Sequence, residues 1–166
     1  KANQYFLRGF NLDHGTDFAT RVAGMPVNLP SHGHGQGYSD LNFLLPELVE
    51  RIEYRKGPYS AAVGDFAGAG SADIRYLSRV AAPFGQITLG AHGFRRGVTG
   101  ASAELAPGTT LLGAVELMGN DGPWTVPERL RKANGVLSLS GGTYNDGWSA
   151  SAMAYHARWV ATDTQS

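Results

Sequence analysis

Five segments in the second half of the chain alternate apolar or small side chains with polar ones. They cover residues 84–94, 99–106, 109–119, 134–144 and 148–159. The third segment shows the alternation most clearly, with two sets of side chains on opposite faces: Leu111, Gly113, Val115 and Leu117 against Leu112, Ala114, Glu116 and Met118. Because successive side chains of a β-strand point to opposite faces, this period predicts five consecutive strands in this half.

The connections between these segments differ in length. Pro107-Gly108 and Asn145-Asp146-Gly147 are tight hairpin turns, whereas the connection across residues 120–133 is long. Strands of about ten residues with short turns at one end and long loops at the other are typical of outer-membrane barrels. The same alternation also fits a soluble β-sandwich, so the pattern alone leaves both architectures open.

The first 80 residues have a different pattern, which predicts a small mixed α/β unit. Residues 4–10 are aromatic and β-prone, and residues 20–30 suggest a strand pair around Gly24. Pro46 is suited to open a helical turn. Two further strands are predicted at residues 49–56 and 71–78, and the first of them ends at Gly57-Pro58.

The composition excludes several classes of function. Fourteen basic and fourteen acidic residues give a formal net charge of zero, so no basic excess points to nucleic acid. Cysteine is absent, which excludes disulfides and thiolate metal sites. No cofactor is indicated. The G-x-S-x-G, H-E-x-x-H and P-loop motifs of common enzymes are also missing, and the chain is not expected to be an enzyme.

Several stretches, in this order along the chain, resemble TonB-dependent outer-membrane receptors. They are Arg8-Gly9-Phe10, Glu50-Arg51-Ile52-Glu53 leading to Gly57-Pro58, the glycine turn and strand of residues 68–76, and the later "GNDGPW" and "MAYHARW". The resemblance runs over nearly the whole chain.

The resemblance implies a fragment of a membrane β-barrel with a mixed α/β plug domain. Residues 1–80 would be the C-terminal part of the plug. Residues 81–166 would form about five antiparallel transmembrane strands, the first of a 22-stranded barrel. We expect the true N-terminus to lie upstream, with the segment that the energy-coupling protein TonB grips. The implied function is TonB-dependent uptake of a scarce nutrient, such as a ferric siderophore, across the outer membrane of a Gram-negative bacterium. The implied partners are TonB, a small-molecule substrate and outer-membrane lipid.

The stretch "LPSHGHGQGY" contains the candidate substrate-binding residues. The resemblance makes it a plug loop near the outer side of the barrel, where His32, His34, Gln36 and Tyr38 would contact cargo. A plain polar loop remains open as an alternative. A second set of side chains would bind the plug to the barrel wall: Arg8, Arg51, Arg55 and Lys56. Their partners would be acidic residues of the lumen, for which Glu104 and Glu116 are candidates.

Two other functions stay open at this point. One is a soluble β-rich ligand-binding domain, which the strand pattern also permits. The other is a metal-dependent hydrolase built on the residues Asp13, His14, His32 and His34. A metal site needs three or four ligands in fixed geometry, and a bare H-x-H among glycines is weak evidence for one.

Overall fold

The computed structural model describes residues 5–7, 10–12, 17–31, 37–143 and 146–161. The chain divides into two compact units, Lys1–Leu77 and Ser78–Ser166, and each is described by itself. Among the described residues, no helix is long and apolar enough to cross a membrane.

The first unit begins with a short antiparallel pair, β1 (Tyr5–Leu7) and β2 (Phe10–Leu12), in which Leu7 pairs with Phe10. The sequence predicted one strand over residues 4–10, and that prediction is wrong. Residues 5–7 and 10–12 instead form two separate strands that pair antiparallel with each other. Aromatic β-propensity cannot distinguish one strand from two, because the residues of both strands have it.

A four-stranded sheet forms the rest of this unit, in the order β4-β3-β6-β5. Its strands are β3 (Phe18–Val22), β4 (Met25–Pro26), β5 (Val49–Lys56) and β6 (Gly70–Tyr76). β3 and β6 pair in parallel at the centre, and β5 pairs antiparallel with β6 at one edge. The predicted strand pair around Gly24 is confirmed, and so are the two later strands.

Helical structure among the described residues consists of two 3-10 turns, at Pro46–Leu48 and Ala61–Val63. The predicted turn at Pro46 is confirmed, with proline in its first position, where its missing N–H costs no hydrogen bond. The turn buries Leu48 completely, and Leu45 beside it is equally buried. The α component of the expected α/β plug is therefore limited, in the described part, to these single turns.

The second unit is one antiparallel sheet of five strands, in the order β11-β10-β9-β8-β7. The strands are β7 (Phe84–Leu89), β8 (Arg95–Ala106), β9 (Thr109–Asn120), β10 (Leu130–Gly142) and β11 (Gly147–Arg158). The five predicted strands are confirmed. The first is shorter than predicted because the chain turns at His92 and Gly93, which have φ values of 55° and 69°.

The two faces of this sheet differ in burial. On β9, Leu112, Ala114 and Glu116 are buried, whereas Val115 and Leu117 are 51% and 61% exposed. Residues that are paired across neighbouring strands lie on the same face, so the exposed side of β9 continues onto β7, β8 and β10. We call the exposed side the apolar face, defined by the side chains Ile87, Leu89, Val115, Leu117 and Leu137.

Candidate functional site

The histidine-containing stretch is closed at its base by a backbone bridge between Leu29 and Tyr38. The N–H of Leu29 donates to the carbonyl of Tyr38 at 2.8 Å, and the N–H of Tyr38 donates back at 2.9 Å. This pair of hydrogen bonds fixes where the loop leaves and rejoins the unit. His32, His34 and Gln36 lie outside the described residues, between the two ends of the bridge.

Tyr38 is the candidate substrate-binding residue that the structure describes. Its hydroxyl donates to Oδ2 of Asp40 at 3.3 Å, while Oδ1 of Asp40 accepts from the backbone N–H of Asn42 at 2.7 Å. Burial, together with the charge of Asp40 and this hydrogen bond, raises the pKa of Tyr38 above its ordinary 10.0. The phenol is therefore a neutral hydrogen-bond donor with an aromatic face at the root of the loop.

The residue after Tyr38 ties this end of the loop to the neighbouring hairpin. Ser39 is completely buried, and its Oγ lies 3.2 Å from the hydroxyl of Tyr5. The ring of Tyr5 also lies against that of Phe18, with centroids 5.6 Å apart. One end of the loop is thus held by side-chain contacts to β1 as well as by the bridge.

The metal-site hypothesis finds no support in the described part of the chain. Within the described ranges, no group of three or more His, Asp or Glu side chains could hold a metal ion. The proposed ligands Asp13, His14, His32 and His34 lie outside those ranges, so the hypothesis itself is not tested by the structure.

The candidate plug contacts Arg51 and Arg55 share one face of the four-stranded sheet, because they stand four residues apart on β5. Arg51 Nε lies 3.0 Å from Oε1 of Glu53, and both side chains are about half exposed. The same face carries a shallow groove, which the second 3-10 turn lines on one side. Its charged lining residues are Arg21, Glu53, Arg55, Asp73 and Arg75.

The third described candidate for a plug contact, Lys56, is the last residue of β5 and points the other way. Lys56 follows Arg55 and so lies on the opposite face, with its Nζ 6.0 Å from the ring centroid of Tyr54. The structure therefore brings Arg51 and Arg55 together but not Lys56, which the sequence had grouped with them. Arg8 lies outside the described residues.

The two acids proposed as lumen partners have different environments. Glu104 is exposed and accepts a hydrogen bond from the N–H of Gly108 at 3.1 Å, within its own hairpin turn. Glu116 is only 1% exposed. Nε of Arg96 donates to its Oε2, and Nζ of Lys132 lies 2.7 Å from its Oε1. Glu116 therefore already has two cationic neighbours within its own sheet.

Sequence reasoning missed this charged cluster. Arg96 and Lys132 come from the strands on either side of β9, and the register places both beside Glu116. The available signal was a single acid on an otherwise apolar alternating face, since an acid that is buried needs charged partners. The identity of those partners depends on the register.

A comparison with known protein families finds a match to the first unit. Residues 1–71 match the family model described as TonB-dependent Receptor Plug Domain. The match includes Tyr38, Arg51, Arg55 and Lys56, and it ends at the beginning of β6. No curated protein matches the chain.

Proposed function

We propose that this chain, whose residues 1–71 match the plug domain of TonB-dependent receptors, takes part in energy-coupled uptake of a scarce, bulky nutrient, such as a ferric siderophore. This plug family belongs to receptors of the outer membrane of Gram-negative bacteria, which are transporters rather than enzymes. TonB would act through a segment upstream of these residues, and outer-membrane lipid would surround the strands.

The observation that carries the proposal is the order of the two units. A plug-domain match over residues 1–71 is followed by an antiparallel sheet with one exposed apolar face. We assign residues 1–80 to the C-terminal part of the plug and residues 81–166 to the first strands of a 22-stranded barrel, which is wide enough to enclose a plug. The exposed side chains of the apolar face would contact lipid: Ile87 is 82% exposed and Leu89 is 77% exposed.

A barrel of this kind needs more strands than these five. Lipid offers no water to hydrogen-bond with the backbone, so a membrane sheet must close on itself. Among the strands that the structure describes, β7 and β11 each have a neighbour on one side only. In the proposed receptor, further strands would pair with both edges, and the isolated chain would not form a stable closed pore. Stable single-channel conductance of the isolated chain in lipid bilayers would contradict this.

The loop above the Leu29–Tyr38 bridge is our proposed cargo contact. His32, His34 and Gln36 would offer hydrogen bonds from the loop, and Tyr38 would add a neutral phenol and a stacking surface at its root. The bridge supports this because it holds the two ends of the loop, Leu29 and Tyr38, next to each other.

Arg51 and Arg55, together with Arg8 and Lys56, would contact the barrel wall. The exposure of β5 supports this role, because its charged side chains are accessible to a polar partner surface. Glu104 is the better-suited acid of the two candidates, because Glu116 already has Arg96 and Lys132 beside it.

The function is tested in a strain that lacks the receptor containing this chain. Uptake of a panel of radiolabelled iron chelates, cobalamin and glycans is compared with and without the gene, and with and without functional TonB. We expect at least one cargo to require both the gene and TonB. A receptor that locates to a soluble fraction, or uptake that is independent of TonB, would sink the proposal.

A further inference from the structure

Three arginines of the five-stranded sheet lie in one cross-strand row on the apolar face. The register pairs Arg95 of β8 with Gly119 of β9, Gly119 with Arg131 of β10, and Arg131 with Arg158 of β11. Leu89 of β7 pairs with Arg95 and extends the row to the sheet edge. Because directly paired residues project to the same face, the three guanidinium groups belong to one end of one surface. We call these three residues the arginine row.

Gly119 lets two of these side chains converge. A Cβ atom built on Gly119 would lie 3.2 Å from Nε of Arg95 and 3.3 Å from Nη1 of Arg131. Both guanidinium groups therefore lie over the glycine, where any larger residue would push them apart. Asp121 is the acid beside them, with Oδ1 3.4 Å from Nη1 of Arg131. The described residues supply no carboxylate within ion-pair distance of Arg95 or Arg158, so the row keeps an excess of positive charge.

An apolar surface continues directly from the arginine row along the strands. A groove on this face is lined both by the arginines and by Ile87, Leu89 and Leu117, which are exposed by 82%, 77% and 61%. Val115 and Leu137 extend the surface further, each about half exposed. Cationic groups at one edge of an apolar surface complement an amphiphile with an anionic head and hydrocarbon chains.

The length of this surface matches that of a strand that crosses a membrane. Residues 131–139 of β10 extend about 27 Å along the strand, and a tilted transmembrane strand needs about 9–11 residues. The arginine row stands at the end with the long loop of residues 121–129, and the opposite end has the tight Pro107-Gly108 turn. Long loops of outer-membrane barrels face the cell exterior. The row would then lie at the headgroup level of the outer leaflet.

We propose that the arginine row binds the phosphate groups of an outer-leaflet glycolipid, whose acyl chains lie on the apolar face. The inference rests on the proposed membrane placement of this sheet. The planar guanidinium fork matches phosphate oxygens in a bidentate geometry that lysine does not offer. The exposed Ile87 and Leu117 give the acyl chains a surface on which to lie, next to the charged heads.

The test measures binding of diphosphoryl lipid A in mixed micelles to the receptor containing this chain, purified in a neutral detergent. The variant replaces two arginines that lack a described acidic partner, Arg95→Gln with Arg158→Gln. Each arginine near an anionic lipid surface contributes about fivefold in affinity, so we expect the pair to lower affinity roughly 25-fold. The matched control is Arg79→Gln, an exposed arginine of the same unit outside the sheet, which should leave affinity unchanged.

Two further arms separate the possible sources of the phosphate. In detergent micelles that carry phosphatidylcholine in place of lipid A, the double variant should bind lipid as well as the wild type does, and an excess of inorganic phosphate should not displace lipid A. Equal affinity of the double variant and the wild type would overturn the proposal. So would full competition by inorganic phosphate, which would identify a simple anion site without a lipid. Should the glutamine pair fail to fold, Arg95→Lys with Arg158→Lys must bind more weakly than wild type, because the charge remains and the fork is lost.

Failure of this inference is distinguishable from failure of the proposed function. A receptor that still imports its cargo from the outer membrane but binds lipid A equally well with and without the arginines refutes the lipid site alone. A receptor absent from the outer membrane refutes the placement on which both proposals depend.

Discussion

Nζ of Lys132 lies 2.7 Å from Oε1 of Glu116, although the two residues are on neighbouring strands of the sheet and both side chains are nearly buried. Arg96 binds the other carboxylate oxygen from the strand on the opposite side. The charge of Glu116 thus links three adjacent strands that the backbone hydrogen bonds of the sheet also join. A buried ion is costly to leave without a partner, so these three residues depend on one another.

Replacing Glu116 with glutamine should destabilise this sheet. Arg96 and Lys132 would keep their charges at a nearly buried site without the carboxylate, and breaking a buried ion pair costs about 3 kcal/mol or more. The measurement is urea unfolding of the receptor in detergent, followed by circular dichroism. Glu104→Gln on the neighbouring strand is the control, since the exposed Glu104 side chain makes its hydrogen bond within a turn. Equal stability of the two variants would show that the cluster contributes little.

Gly70→Ala should disrupt the plug sheet where β6 begins. Gly70 has a φ of 153°, and an added Cβ would lie 2.3 Å from the backbone oxygen of Arg55, so strands must move apart. We expect a loss of about 2–4 kcal/mol in the free energy of unfolding. The control is Gly68→Ala in the same turn, where the nearest atom is Oδ1 of Asp17 at 4.0 Å. The melting temperatures of the two variants are measured by thermal denaturation. Equal melting temperatures would show that the Cβ atom at position 70 causes no strain.

Tyr38 should make the stability of the first unit depend on alkaline pH. Its pKa in the fold is raised above the unfolded 10.0 by burial and by Asp40. The fold therefore favours the protonated phenol, and this contribution is complete below the unfolded pKa and disappears as pH rises through the folded pKa. Unfolding free energies of wild type and Tyr38→Phe are compared across that window. We expect the wild type to lose more stability than the variant, and a constant difference between them would refute the prediction.

The double substitution His32→Ala with His34→Ala should weaken cargo binding without changing metal content. A cargo loop loses hydrogen-bonding groups, each contributing about 0.5–1.5 kcal/mol, so affinity falls about tenfold. Binding is measured by isothermal titration with the cargo identified in the uptake screen, and metal by elemental analysis. His92→Asn, in a turn of the other unit, is the control. A bound metal lost with the two histidines would support the hydrolase hypothesis instead.

The parts of the fold that the sequence predicted are those set by local alternation and turn residues. The alternation of residues 111–118 indicates directly which side chains share a face of the strand. Gly24 indicates a hairpin because glycine accepts a positive φ. The end of β7 was missed because the turn at His92 follows a β-prone run without proline. The parallel pairing of β3 with β6 joins Phe18 to Gly70 across a long stretch of chain, and no local pattern encodes it.

The candidate site was predictable only where a short motif pointed to it. "SHGHGQGY" is conspicuous by its composition, and the structure adds the bridge that closes it at Tyr38. The cluster around Glu116 and the arginine row could not be found in the same way. Both depend on which residues stand opposite one another across several strands, and a shift of one residue in register would send Arg131 to the other face.

The parallel pairing of β3 with β6 also determines how the first unit responds to mechanical force. A pull applied upstream of β1 opens the β1–β2 pair from its free end, where Tyr5 meets Leu12, so its hydrogen bonds break one after another. The same pull on β3, resisted at the far end of β6, shears two parallel strands lengthwise. All their hydrogen bonds then bear the load together. Traction from the N-terminal side would therefore peel away the first hairpin and stop at β3, leaving the central sheet intact.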